Sequence, residues 1–522
     1  MTNRSLLPEF ARAMLDPGFY PERPKTVELL QTQMSFVFLA GEYVYKVKKP
    51  VNLGYLDYST LEFRRHFCER ETALNRRLCP EAYLGVEPIV NVNGRIAIGE
   101  IGEPIEYAVK MRYLPQERML NVLLVKNEAT AAMIDRLSSR LADFHRRAET
   151  NSEIASFGDI ATVSSNAEEN FDQTEKSIGR TISPRRFERI RRYCREFTAT
   201  NESLFKRRVA EGRIRDCHGD LHAAHICLTD SICIYDCIEF NDRFRYGDVA
   251  SEIAFLAMDL DHYGRADLSN GFVHGYVQLE NDGDLLALLP FYKCYRAYVR
   301  GKVESFKLDD RYLSREDKDV AMRNASGYFD LASFYTRPRL SLFITVGVTG
   351  TGKTTAAEAI AKRTGLLVIS SDVVRKQLAG IPPTERRLDG FDAGIYSADF
   401  TRRTYDTILK QAREILASGH SVILDATFIR KSDRLKAREV ANEAGADYFV
   451  LVFSGTREAI ERRLAARSSS PSVSDGRVEI LGPQMKQFER VDEVPGSMRI
   501  DFDVSQRMED NVDRLLEALD ES

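Results

Sequence analysis

The chain has 522 residues, 43% of them hydrophobic and 29% charged, with a formal net charge of −4 and a pI near 6.2. That length predicts two or three domains, and the composition is ordinary for a globular protein. The acidic balance supplies no global field to recruit nucleic acid or an anionic membrane, and no apolar run approaches the ~18 residues of a membrane span. Residues 1–20 lack the apolar core of an export signal, so a cytoplasmic location is expected. All eight cysteines precede residue 300, none in zinc-knuckle spacing, and reduced thiols are expected.

In chain order, 36–39, 43–47 and 95–98 predict antiparallel strands, with turns at Gly41 and Gly94. A charged amphipathic helix is predicted over 62–78, and helical patterns dominate from about residue 121. Punctuation at Thr336-Arg337-Pro338, followed by a new apolar strand, places a domain boundary there. The expected domains are 1–336, with a small lobe to about 112 and a helical lobe over 113–336, and 337–522.

The informative stretch of the first half is Cys217-His218-Gly219-Asp220-Leu221-His222-Ala223-Ala224-His225. It resembles the catalytic loop of the aminoglycoside phosphotransferase-like family, which shares the protein-kinase fold. The resemblance implies that Asp220 accepts or orients the proton of an acceptor hydroxyl. It further implies that Asp236, closing the apolar run Ile232-Cys233-Ile234-Tyr235, is a magnesium ligand. Asp248 matches a further family acid, read as structural and as an anchor of the loop. Lys46, in Tyr45-Lys46-Val47-Lys48, takes the phosphate-binding position, with Lys48 open as an alternative on the same strand face. Glu71 is implied as the lysine's ion-pair partner, and 109–115 as the hinge between lobes. One position departs from the family: its metal-binding Asn, five residues after the Asp, is His225 here, although magnesium prefers oxygen ligands.

After the boundary, the apolar run 340–346 reads as a buried parallel strand, and 355–363 as a helix stopped by Gly365. Between them stands Gly347-Val348-Thr349-Gly350-Thr351-Gly352-Lys353-Thr354, a complete phosphate-binding loop. Its glycines let backbone amides, including those of Gly347 to Thr355, curl around phosphate oxygens, with the helix N-terminus adding positive potential. Lys353 is placed on the β and γ phosphates and Thr354 on magnesium. Further strands are predicted at 366–369, 421–424 and 448–453, and helices at 405–417, 458–466, 485–489 and 511–519. Alternating β and α implies a parallel sheet covered on both faces. Asp425 ends a strand and is compatible with holding magnesium.

Asp372 and Arg375 follow the second strand of this domain. They match the acceptor-hydroxyl base and nearby arginine of the small P-loop kinases that the domain resembles, AAA-type, gluconate-kinase-, polynucleotide-kinase- and zeta-toxin-like. Arg463 and Arg467 sit four apart on a helix and are candidates for a lid over the phosphates, with 468–476 as its mobile segment.

The fold class expected is an α+β, kinase-like, bilobal N-terminal domain joined to an α/β P-loop domain with a parallel sheet. The whole resembles bacterial fusions of these two kinase types. The function implied is an ATP- and Mg2+-dependent phosphotransferase with two nucleotide sites acting on hydroxyls of small molecules such as sugars. Two alternatives stand beside it: a non-catalytic first half that senses a ligand and regulates the second, and a 5′-hydroxyl kinase of nucleic acid, against which the acidic balance argues.

Overall fold

The structure, a computed structural model, describes residues 7–310, 313–382, 385, 393–467 and 477–521. The chain divides into two compact units. One comprises Met1–Ala167, Glu196–Asp259 and Asn270–Tyr292, and the other Glu168–Arg195, Leu260–Ser269 and Lys293–Ser522. Three segments before residue 337 thus belong to the second unit.

The first unit opens with a six-stranded antiparallel sheet. Its strands are β1 (Val27–Gln31), β2 (Ser35–Ala40), β3 (Tyr43–Lys48), β4 (Tyr83–Val92), β5 (Arg95–Ile98) and β6 (Glu103–Arg112), in spatial order β1-β2-β3-β6-β4-β5. The predicted turns are present. Gly41 has φ 68°, and Asn93-Gly94 has φ 51° and 84°, the paired left-handed conformation that suits a tight hairpin. β4 escaped the sequence reading because it carries Gly85 and Pro88, pairs with β6 through register shifts, and shows no clean alternation of burial. The helix Leu61–Asn75 packs on β4 and β6 and is capped by Thr60, whose hydroxyl accepts from the Phe63 amide. It ends three residues short of the predicted 78.

Beyond β6 the unit is mainly helical, with two small antiparallel pairs. β7 (Ile214–Asp216) pairs with β10 (Tyr246–Asp248), and β8 (Ile226–Leu228) pairs with β9 (Ile232–Ile234). Cys79 and Cys233 are joined in a disulfide, their Cα atoms 4.5 Å apart, which corrects the expectation that every cysteine is a free thiol. Sequence separation of 154 residues hid that pairing.

The second unit contains a five-stranded parallel sheet ordered β12-β13-β11-β14-β15. These are β11 (Ser341–Val346), β12 (Leu367–Ser370), β13 (Val422–Asp425), β14 (Asp447–Ser454) and β15 (Arg499–Asp503). The pleat sends Leu342, Ile344 and Val346 into one apolar core and Phe343 into another. The helices Ala398–Ala417 and Lys431–Glu443 close the first core, and Lys353–Thr364 and Met508–Glu521 close the second. This two-faced burial is what an uninterrupted apolar strand requires. The helix expected at 485–489 instead runs Val478–Gln487 with Pro483 inside it. No helix among the described residues is long and apolar enough to cross a membrane.

One buried carboxylate ties the helices of the second unit to the P-loop helix. Asp330, on the helix Arg315–Tyr335, pairs with Arg186 and accepts from Arg363 Nε at 2.6 Å. Arg363 lies in the last turn of Lys353–Thr364, and Arg186 also reaches Asp520 at 2.5 Å. Removing the shared acceptor takes one carboxylate from each of two half-buried guanidiniums, leaving Arg186 with Asp520 and Arg363 with Asp513. Asp330→Ala should therefore lower unfolding free energy by about 1–3 kcal/mol, seen as an earlier urea midpoint. Asp330→Asn should cost less, and an unchanged midpoint for the alanine variant would show the network to be idle.

Candidate active sites

Two clusters of predicted residues assemble, one in each unit. In the first, the pleat of β3 turns Lys46 and Lys48 to the same face, and both reach Glu71. Lys46 Nζ lies 2.9 Å from Glu71 Oε1 and 2.8 Å from Asp236 Oδ1. Lys48 Nζ donates to Glu71 Oε2 at 2.7 Å and also pairs with Glu239. The two lysines differ in access: the Lys46 side chain is 18% exposed and that of Lys48 is 1% exposed. Lys46 is accessible to a ligand, whereas Lys48 is enclosed by its carboxylates.

Asp236 follows β9 with φ 62°, a left-handed conformation that a short polar side chain tolerates best. Burial alone would raise its pKa, but Lys46 and then His225 outweigh it and hold the carboxyl below the usual range. For Lys46, burial is overcome by Asp236 and Glu71, which hold its proton firmly. His225 moves the other way. Burial and the neighbouring His222 push its pKa down to about 4, so the imidazole is neutral near pH 7.

The loop bearing Asp220 is held by its backbone. The amides of His218 and Gly219 both donate to Glu252 Oε1, at 2.7 and 2.8 Å. Glu252 Oε2 lies 2.7 Å from His145 Nε2, and His145 Nδ1 lies 2.7 Å from the Tyr276 hydroxyl. Against the cost of burial, His145 and the loop amides hold Glu252 down at about 2. Asp259 takes the Ala223 amide at 2.8 Å. Asp248, expected to anchor this loop, instead grips the fully buried Arg208 at 2.7 and 2.9 Å, so the anchor is Glu252. Glu252 was missed, although an acid in the apolar run Val249 to Met258 is a signal for a buried partner. Gly219 has φ 88°, and a Cβ there would lie 2.7 Å from the Phe244 carbonyl. Gly219→Ala should therefore destabilise the chain by on the order of 1–3 kcal/mol, measured by thermal unfolding.

In the second unit, β11 runs into the glycine loop. Gly350 and Gly352 have φ 81° and 85°, and Gly352 caps the helix Lys353–Thr364. Lys353 Nζ donates to the Val348 carbonyl at 2.8 Å, and Thr354 donates its hydroxyl to Asp425 Oδ2 at 2.7 Å. The Thr349 amide donates to Gln484 Oε1 at 2.7 Å, a contact from Val478–Gln487 that the sequence did not signal. Burial raises the Asp425 pKa to about 6, only partly offset by Thr354 and Lys353.

A cavity of about 700 Å³ opens beside this loop, lined by Lys353, Thr354, Asp425, Asp372, Arg375 and Gln484, among others. Asp372 lies in the first turn of Ser371–Leu378. Arg375 is buried, donates to the Ile395 carbonyl at 2.7 Å and lies over the Tyr396 ring. It therefore braces the segment 394–401 against the cavity. Arg463 is exposed, and its Nη1 lies 3.2 Å from where a Cβ on Gly352 would stand. The Arg467 side chain and 468–476 lie outside the described residues.

Magnesium takes oxygen ligands in near-octahedral array. Thr354 and Asp425, oxygen donors at the mouth of the phosphate loop, fit it. The cluster of the first unit does not, because the imidazole of His225 occupies the position facing Asp236.

An uncharacterized protein of Mycobacterium tuberculosis is 33% identical over 448 residues, which cover 85% of this chain and 87% of that one. The chain belongs to the same family. A family profile described as an AAA domain matches residues 342–491, so the second unit contains a P-loop domain of that type. Among solved structures, a sugar kinase from Janibacter is 21% identical with a TM-score of 0.26, over 35% of this chain and 95% of that one. A glucosamine kinase in complex with glucosamine, ADP and inorganic phosphate is 15% identical with a TM-score of 0.33, over 58% of this chain and 75% of that one.

The raised pKa of Asp425 has a definite sign. Its ordinary value of 3.8 rises to about 6 on folding, so the native state holds the extra proton between those values. Stability is lost as pH climbs through that window, and above it the ionised carboxylate costs on the order of 2–3 kcal/mol. Asp425→Asn should raise the melting temperature of the ligand-free protein at pH 8, with a gain that shrinks toward pH 4. Stabilisation by Mg-ATP should grow as pH rises through 6 in the wild type, and that growth should vanish in the variant.

Proposed function

We propose that the chain is an ATP- and magnesium-dependent phosphotransferase with two nucleotide sites, acting on hydroxyl groups of small molecules. The observation that carries this reading is the convergence of Lys353, the Thr354–Asp425 pair and Asp372 on one cavity of about 700 Å³. The volume suits a nucleotide's phosphates beside a compact acceptor. Acids and bases alternate on the remaining walls, Asp399 and Asp433 among Arg402, Arg430 and Lys436, which favours a polyhydroxylated acceptor such as a sugar or sugar-like alcohol.

The loop amides of Gly347 to Thr355 cradle the phosphates, and Lys353 leaves the Val348 carbonyl to meet the β and γ oxygens. Asp372 takes the proton of the acceptor hydroxyl as its oxygen bonds to the γ phosphorus. The bond from that phosphorus to the bridging oxygen breaks, and ADP departs. Arg375 positions the acceptor wall through 394–401. Arg463, beside Gly352, and Arg467 supply charge that tempers the transferring group. Magnesium at Thr354 and Asp425 neutralises phosphate charge when bound.

The first unit is read as a kinase-like module. In it Lys46, oriented by Glu71, receives phosphate oxygens, Asp220 serves an acceptor hydroxyl, and Asp236 and His225 face the cation position. Its residues would serve a second hydroxyl, on the same or a related compound. One observation favours a different role for this unit: His225 replaces the oxygen ligand a magnesium kinase uses, which suits a module that senses a ligand and regulates the second unit.

ATP turnover against sugars, alcohols, aminoglycosides and 5′-hydroxyl oligonucleotides separates these readings. Lys353→Ala should lower transfer to one acceptor class by at least about a hundredfold, and Asp220→Asn should do so for another. If Lys353→Ala removes all transfer while Asp220→Asn removes none, the first unit is regulatory. Retention of full turnover by Lys353→Ala would overturn the assignment of the second site.

A further inference from the structure

The segment that leaves β13 passes along the cavity of the second unit, and its backbone is held in an uncommon conformation. Phe428 has φ 40°, a left-handed value that a bulky side chain adopts only where its surroundings impose it. Those surroundings are a set of hydrogen bonds. The Ala426 amide donates to Thr345 Oγ1 at 3.1 Å, and that hydroxyl donates to the Ala426 carbonyl at 2.8 Å. The Gly347 amide donates to the Thr427 carbonyl at 3.0 Å. Arg434 Nη1 donates to the Phe428 carbonyl at 3.0 Å, and the Phe428 amide donates to the Tyr405 hydroxyl at 3.0 Å. Phe428 and Arg434 are fully buried, so the turn is fixed from behind, while Thr427 between them lines the cavity.

The direction of the Thr427 hydroxyl proton follows from its neighbour. Tyr405 is buried, and burial raises its pKa, so the phenol keeps its proton. Its oxygen accepts from the Phe428 amide. Thr427 Oγ1, 3.2 Å away, is the one acceptor for the phenol's own proton among the described residues. Tyr405 therefore donates to Thr427. The Thr427 proton then points away from Tyr405, and it has no acceptor among the described residues. Phe428 amide, Tyr405 and Thr427 thus form a chain of hydrogen bonds, each polarising the next, that ends in an unclaimed donor.

That donor stands between two walls. On one side the Thr427 carbonyl is bound to Gly347, the first residue of the phosphate loop, and Asp425 with its partner Thr354 lies two residues back. On the other side Tyr405 belongs to the helix Ala398–Ala417, whose first turns give Asp399, Thr401 and Arg402 to the cavity. A group moving from the phosphate loop toward that helix passes Thr427.

We propose that Thr427 Oγ1 donates a hydrogen bond to an oxygen of the γ phosphoryl group, so that the second unit distinguishes a nucleoside triphosphate from a diphosphate. The assignment rests on the reading of this cavity as a nucleotide site. A diphosphate lacks the group that Thr427 meets, so the contact favours the substrate nucleotide over the product.

The test is titration calorimetry on the full-length protein carrying Lys46→Ala, so that binding is read at the second unit, with Mg2+ and either ADP or the β,γ-imido analogue of ATP. The same protein carrying Lys353→Ala as well is the blank. Thr427→Val, which keeps the shape and removes the donor, should weaken analogue binding about tenfold or more and leave ADP binding within about twofold. Thr427→Ser should restore the analogue's affinity, and thermal unfolding checks that each variant is folded. A merely structural role would weaken both nucleotides alike. That result, or no weakening of either, would overturn the proposal, while Lys353-dependent binding would leave the nucleotide site standing. Binding of neither nucleotide above the blank would overturn the reading of the cavity itself, and the role of Thr427 with it.

Discussion

Each site depends on a carboxylate set at or just past the end of a short apolar strand, where water is scarce and charge is costly. The two strands meet that cost differently. Asp236, after β9, is neutralised by Lys46 at 2.8 Å and stays ionised well below its ordinary pKa. Asp425, at the end of β13, has a hydroxyl for a close partner, and its pKa climbs to about 6. The first carboxylate is therefore settled without a ligand, whereas the second gains most when a cation arrives. In the function proposed above, a metal-bound nucleotide would relieve this under-compensated acid beside the phosphate loop.

Backbone geometry sets up both sites, and buried side chains hold that geometry from behind. In the first unit, the chain Tyr276, His145, Glu252 ends on the amides of His218 and Gly219, so a fully ionised acid fixes the loop that carries Asp220. In the second, parallel pairing of β11 with β13 brings the glycine loop level with Asp425. Gln484 meanwhile accepts from the Thr349 amide of that loop. Under the function proposed above, a phosphate oxygen that took this amide would displace Gln484 of the helix Val478–Gln487.

How much could be read from the residues alone follows from how local each signal is. The glycine loop, its strand and its helix were legible because their constraints lie within a few residues: positive φ at Gly350 and Gly352, an apolar run, a capped helix. The union of Lys46, Glu71 and Asp236 needed the resemblance, since 190 residues separate Lys46 from Asp236. The sequence favoured Lys46 but left Lys48 open, because a pleat gives both the same face; the enclosure of Lys48 by Glu71 and Glu239 is what separates them. Glu252, Gln484 and the disulfide of Cys79 with Cys233 were not found, because each acts on a partner remote in the chain. Helix ends drifted where a proline sat inside, as at Pro483, or where the last turn unwound, as after Asn75.

The central claim is that one chain holds two separate nucleotide sites, and binding stoichiometry tests it without reference to any acceptor. Isothermal titration of the full-length protein with a non-hydrolysable ATP analogue, in the presence of both Mg2+ and Mn2+, should give two molecules per chain. Lys353→Ala and Lys46→Ala should each retain one, and the double variant none. A wild type that binds one, with none left in Lys353→Ala and no change in Lys46→Ala, would contradict the account.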